Sequence, residues 1–199
     1  MVTQTTTKPS LTLKRRLQTP PAKVFAAWNG PEKVKLSIGS GKTEAKKERT
    51  MKTKDYTTSF TVNRSPDEVF NAVNNVRGWW SGEIDGRTDK LGAEFTYRYK
   101  DVHRSTQKIT ELVTGRKVVW HVSDAQLNFV KDKTEWNGTD VVFEITGKSD
   151  KTELRFTHVG LVPAFECYGG CSGAWRFYVN DSLRSLITTG KGEPNQKET

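Results

Sequence analysis

Chemistry in this chain could come from three histidines, two cysteines, scattered carboxylates and a stock of aromatic rings. His158 closes the alternating run Leu154-x-Phe156-x-His158, so it shares the inward face of a predicted strand. A buried neutral imidazole there could bind a ligand oxygen or act as a general base. No neighbouring motif supplies an acid or a nucleophile to partner it, so a structural histidine is the favoured reading. His103 falls in a polar turn, and His121 faces away from Trp120. Cys167 and Cys171 stand four apart, a spacing that can put both thiols on one helical face. With His158 they hint at a soft metal site, but a fourth ligand is missing and Gly169-Gly170 loosens the helix between them. Reduced, partly buried thiols are the simpler expectation, with no metal and no cofactor. Asp124, Asp132 and Glu135 read as solvated loop charge, and Asn137-Gly138-Thr139 as a chance glycosylation sequon. A Gly-rich phosphate loop, a nucleophile elbow and a zinc-protease helix are all missing from the sequence, which weakens an enzyme reading.

The aromatics are the stronger candidates. Trp79, Trp80, Phe95, Tyr97, Tyr99, Trp120, Phe143, Phe156 and Trp175, together with His158, fall on faces expected to point inward. As a set they can wall an apolar cavity, with tyrosine hydroxyls and an indole N–H orienting a ligand. Singly, each is better explained by core packing.

The elements that would position them can be read from the patterning. Tyr56 to Val62 alternates as a strand. Ser65-Pro66-Asp67-Glu68 is a helix start: Ser65 caps, Pro66 suits the first turn, and Glu68 completes a capping box. Val69, Phe70, Val73 and Val76 form the apolar stripe of that helix, which Arg77-Gly78 is expected to end. Strands follow around Phe95-Tyr99, Ile109-Leu112, Val118-Val122, Val141-Ile145 and Leu154-His158. Turns are expected at Gly115-Arg116 and at 149–151, giving an antiparallel meander. Trp175, Val179, Leu183 and Leu186 then recur at helical spacing up to Gly190, and the polar residues beyond Lys191 read as a frayed tail. The prediction is an α+β domain in which a curved antiparallel sheet wraps around a long C-terminal helix.

Residues 11–29 repeat residues 56–74 at an offset of forty-five positions. Thr12 matches Thr57, Pro21 matches Pro66, Val24-Phe25 matches Val69-Phe70, and Ala27 and Asn29 match Ala72 and Asn74. The copy dissolves after Leu36 and lacks the capping serine and Glu68. The expected organisation is a basic, largely unstructured leader over 1–54 containing a truncated domain start at 11–36, a domain over 55–192, and a disordered tail over 193–199. Charge follows the same division. Residues 1–54 carry 13 Lys and Arg against 3 acids, and residues 55–199 carry 19 against 20, so the net +9 belongs to the leader. That distribution argues against nucleic-acid binding by the patterned domain. No stretch is long and apolar enough to span a membrane, and the start lacks the apolar core of a secretory signal, so a cytoplasmic setting is expected.

The order Ser65-Pro66-x-x-Val69-Phe70, Gly78-Trp79-Trp80, Phe156-Thr157-His158, Gly160-Leu161-Val162-Pro163 and Trp175 in a closing helix resembles the SRPBCC (START-like) superfamily. Within it, the chain is most similar to homologues of the heat-shock-protein ATPase activator. The resemblance covers about residues 55–192, and residues 11–36 resemble the start of a second such domain. It implies a helix-grip fold with a hydrophobic ligand cavity. Members of the superfamily include lipid carriers, cyclases and chaperone partners, so the resemblance does not fix an activity. The leading expectation is a domain that binds an apolar or amphipathic small molecule between sheet and final helix. The alternatives are a chaperone-interacting protein and, less favoured, a cavity enzyme.

Overall fold

A computed structural model describes residues 54–195. The partial repeat at 11–36 lies outside the described residues. The described chain forms strand β1 (Tyr56–Val62), helices α1 (Pro66–Asn74) and α2 (Val76–Trp79), and strands β2 (Ile84–Gly86), β3 (Glu94–Tyr99), β4 (His103–Val113), β5 (Lys117–Leu127), β6 (Asp140–Lys148) and β7 (Lys151–Val159). One helical rod closes it: α3 (Tyr168–Phe177), a π-helical stretch (Tyr178–Leu183) and α4 (Arg184–Thr189). The seven strands make a single antiparallel sheet in the order β1-β7-β6-β5-β4-β3-β2.

Alternation puts one face of every long strand inside. Val141, Phe143 and Ile145 of β6 meet Leu154, Phe156 and His158 of β7, directly opposite in register. On β4, Ile109 and Leu112 are three residues apart and would face opposite sides of a regular strand. A register shift between Ile109 and Glu111 absorbs Thr110, so Ile109 faces Trp120 and Leu112 faces Val118 on the same inner side. A second shift, opposite Thr106 and Gln107, leaves Ser123 unpaired and brings Val122 and Ala125 inward together.

Helix α1 starts as its sequence dictates. The Ser65 hydroxyl accepts the Glu68 N–H at 3.3 Å, and the Glu68 carboxylate accepts the Ser65 N–H at 2.8 Å. It ends earlier than Arg77-Gly78. Asn75 leaves helical geometry at ψ 61°, and Val76 opens the separate turn α2. That break tips Trp79 into the core, where its indole N–H donates to the Val73 carbonyl at 3.1 Å.

The C-terminal rod buries Cys171, Trp175, Val179, Leu183 and Ile187, each four residues from the last. On a regular α-helix this spacing drifts by about 40° per turn at about 100° per residue. The wider π-helical stretch takes up the drift and keeps one stripe against the sheet. It also makes Ile187 the fully packed residue of the last turn, with Leu186 at the margin of the core. Gly190 ends the helix in the left-handed conformation, φ 80°, with its N–H donating to the Leu186 carbonyl at 2.9 Å. Beyond Lys191, residues 192–195 fold back rather than fray, and Glu193 and Asn195 bond to Ser182 and Trp80.

Candidate functional site

Of the ten side chains expected to line a cavity, Trp80, Tyr97, Tyr99 and Trp175 do so, and His158 stands immediately behind them. The other five, Trp79, Phe95, Trp120, Phe143 and Phe156, are sealed in the core. Trp120 is the hub of that cluster, stacked on Trp79 and Trp80 and met edge-on by Phe95 and Phe143. These rings fill the sheet–helix interface from its centre toward the β6 side.

At the β3–β4 end the filling is incomplete. A pocket opens there among Trp80, Tyr97, Tyr99, His103, Trp136, Trp175 and Tyr178, closed at its edges by Cys171, Ala174 and Asn195. Trp80 stacks on Tyr97 at 4.4 Å, and Trp136 stacks on Trp175 at 5.8 Å. His103 stands edge-on between Tyr97 and Trp136, with ring centroids 5.0 and 4.6 Å away. The free volume is about 40 Å³. That admits water molecules but is far below the roughly 300–1,000 Å³ of sites that enclose drug-sized ligands.

Several pocket residues escape sequence reasoning, among them His103, Trp136 and Tyr178. His103 is not in an open turn: it is the first residue of β4, buried, and paired across the hairpin with Tyr99. The inner face of β4 reads His103, Ser105, Gln107, Ile109, polar at three of four positions, which disguises it as an outer face. Ser105 and Gln107 satisfy each other and the sheet: Gln107, with its amide suitably oriented, accepts the Ser105 hydroxyl at 2.6 Å and donates to the Phe95 carbonyl at 3.1 Å. A usable signal existed in the hairpin itself, because a residue directly opposite inward-facing Tyr99 must face inward too. Trp136 lies in the β5–β6 connection, where no periodicity applies. Its neighbour Glu135 is more than solvated charge. The carboxylate accepts the N–H groups of Glu166 and Cys167 at 2.6 and 2.9 Å, just before α3, and so pins the loop to that helix end.

His158 has both ring nitrogens committed. Trp175 Nε1, which can only donate, gives its proton to Nδ1 at 2.9 Å. The proton of this neutral ring therefore sits on Nε2 and goes to the Thr139 hydroxyl at 2.9 Å, which in turn donates to the Trp136 carbonyl at 2.6 Å. This relay ties α3, β7 and the Trp136 loop together and leaves His158 no lone pair for a substrate proton. Burial lowers its pKa to about 3, so it stays neutral. The relay also uses Thr139, the third residue of the sequon.

His103 differs. Burial lowers its pKa to about 3 as well, but its Nε2 has no hydrogen-bond partner among the described residues. The Trp136 indole N–H likewise has no hydrogen-bond partner among the described residues. Tyr97 and Tyr178 have hydroxyl pKa values raised by burial, and burial likewise raises that of the Cys171 thiol. The lining contains no Lys, Arg, Asp or Glu. This is a neutral, aromatic pocket with unspent hydrogen-bonding capacity. Cys167 and Cys171 are both free and buried, and no cluster of three potential metal ligands occurs among the described residues.

The sheet, the two short helices and the closing rod can be compared with known proteins. The family model for Activator of Hsp90 ATPase homolog 1-like protein matches residues 63–188. The chain belongs to this family. Its fold is the helix grip, a curved antiparallel sheet around a C-terminal helix. The Aha1 dimer from Colwellia psychrerythraea is similar at 21% identity and TM-score 0.57, covering 69% of this chain and 98% of that one. MLL2253 from Mesorhizobium loti is similar at 17% and 0.52, covering 66% and 96%. BH1534 from Bacillus halodurans is similar at 16% and 0.51, covering 67% and 96%. At these identities the likeness concerns the fold. No curated protein matches the sequence. Among the described residues no helix is long and apolar enough to cross a membrane.

Proposed function

We propose that this domain binds a small, neutral, flat molecule in the aromatic pocket between the β3–β4 hairpin and the C-terminal helix. The observation that carries the reading is His103: a buried imidazole nitrogen without a partner, facing a cavity walled by rings. Unpaired buried polar atoms are costly, and a pocket that retains one fits a ligand that supplies the missing bond. The uncharged lining favours an amide-, phenol- or alcohol-bearing aromatic compound over an ion, because nothing there would compensate a buried charge. Rings of Trp80, Tyr97, Trp136 and Trp175 would hold its flat faces. The resting volume requires the pocket to widen as the ligand enters. The two free thiols suit a reducing, cytoplasmic setting.

Native mass spectrometry of the gently purified protein tests this, combined with tryptophan-fluorescence titrations against neutral aromatic amphiphiles. A retained or added molecule whose binding weakens at least tenfold in His103→Phe is the expected result. No bound mass and no fluorescence response across the series rejects the reading.

A second reading rests on family membership. The matched family is described by its likeness to an activator of the Hsp90 ATPase, which supports a chaperone as partner. The ATPase rate of an Hsp90 chaperone, measured with and without this protein, decides it: an unchanged rate and no co-purification reject that role.

A further inference from the structure

Beyond Gly190 the chain turns back and lies across the end of the pocket. The Lys191 carbonyl accepts the Ser185 hydroxyl at 2.7 Å. The Glu193 N–H donates to the Ser182 hydroxyl at 2.7 Å, and that hydroxyl passes its own proton to the Trp79 carbonyl at 2.7 Å. Asn195 then pairs with the segment after α2: its N–H donates to the Trp80 carbonyl at 3.1 Å, and its carbonyl accepts the Gly82 N–H at 2.9 Å. Gly192 makes this path possible, because a Cβ there would collide with the Gly78 carbonyl oxygen. The Asn195 side chain ends in the pocket wall. Its Nδ2 donates to the Tyr97 hydroxyl at 3.2 Å, and it shares the pocket lining with Tyr178.

This wall is unlike the others. Tyr97, Tyr99 and His103 are built on the sheet, and Cys171, Ala174, Trp175 and Tyr178 on the helical rod. The strap Gly-Lys-Gly-Glu-Pro-Asn carries no large apolar side chain, and hydrogen bonds with Ser185 and Ser182 of the helical rod help to hold it. Segments with few buried apolar contacts are those that open at low free-energy cost. Releasing the strap frees the Tyr97 hydroxyl from the Asn195 amide.

We propose that the strap Gly190–Asn195 is the gate of the aromatic pocket, and that the Asn195 carboxamide is its resident occupant, which a ligand displaces. The inference rests on the reading of this pocket as a ligand site. It also refines the ligand class. The incoming group must replace an amide N–H donor at the Tyr97 hydroxyl, so an amide or hydroxyl fits, whereas a carboxylate brings no donor and a buried charge that nothing in the lining compensates.

The test uses the full chain and N-phenyl-1-naphthylamine, a neutral fluorescent probe. In Gly192→Val the new methyl groups clash with the Gly78 carbonyl and should detach the strap. Hydrogen exchange at the Gly82 amide, which Asn195 protects, is expected to accelerate at least tenfold, and probe affinity to rise at least tenfold. Asn195→Ala introduces no clash and is expected to raise probe affinity several-fold with the melting transition still cooperative. Faster Gly82 exchange without tighter probe binding overturns the gate. Unchanged Gly82 exchange in Gly192→Val also overturns it, as does unchanged probe affinity in Asn195→Ala. A gated response to the probe in a protein that retains no natural ligand sustains the gate and counts against the ligand reading alone.

Discussion

Two buried imidazoles stand within one aromatic cluster and do different things. His158 spends both nitrogens joining Trp175 to Thr139, whereas His103 keeps Nε2 unspent beside the pocket. Both share a consequence for pH. Their folded pKa values lie near 3, while an unfolded histidine titrates near 6.5. Between these values the unfolded chain binds protons that the folded chain refuses. Stability is therefore full above about pH 6.5 and falls as the pH drops toward 3, by up to about 1.4 kcal/mol per pH unit for each ring. Denaturant midpoints measured from pH 7 to 5 should show this slope. His103→Phe preserves the edge-on ring contacts and removes one titrating group, so the histidine part of the slope should halve. It should also cost little at pH 7, because it deletes a buried nitrogen that has no hydrogen-bond partner among the described residues. An unchanged slope would show that His103 is not held neutral.

Among the elements, α1 and the C-terminal rod show how local rules and tertiary demands divide the work. The start of α1 is local. Ser65, Pro66 and Glu68 form the capping box within four residues, and the Glu68 carboxyl pKa is lowered by its hydrogen bonds from Ser65. Ser65→Ala should destabilise the domain by about 0.5–2 kcal/mol, a fall of roughly 2–6 °C in melting temperature by calorimetry. The end of α1 is tertiary. The break at Asn75 lets Trp79 reach the core and lets Trp80 stack on Tyr97, and both rings would swing away on a continued helix. The π-helical stretch is tertiary in the same sense. It holds Tyr178 at the pocket and leaves the Ser182 hydroxyl bridging Trp79 and the strap.

At the scale of the whole molecule, the basic surplus and the partial repeat at 11–36 both sit ahead of the domain. After Leu36 its sequence shows no strand or closing-helix pattern of the kind that buries Val69 and Phe70 in the domain, so Val24 and Phe25 have no counterpart partners in the pattern. We expect a chain beginning at Met51 to melt within about 2 °C of the full chain, because no domain element is lost. A larger fall would show that residues 11–29 pack on the domain. The strap acts at this scale too. It joins the end of the helical rod to the segment after α2, across the mouth of the pocket.

The sequence by itself determined most of the elements, though not β2, the break after α1 or the π-helical stretch, since alternation along the long strands, the capping box and the apolar stripe of the closing rod are local patterns. Hence the inward positions of Phe95, Tyr97, Trp120, Phe143, Phe156 and His158 were legible. Which of those rings are core and which are wall was not, because that depends on how closely sheet and helix approach at each end. Only the tertiary structure decided that Trp120 is sealed while Tyr97 faces a cavity. It alone placed Trp136, held in a loop by Glu135, and it brought out His103, hidden on a polar-looking inner face although its pairing with Tyr99 pointed inward. It alone brought Asn195 to the Tyr97 hydroxyl, a contact between residues ninety-eight positions apart that no local pattern encodes.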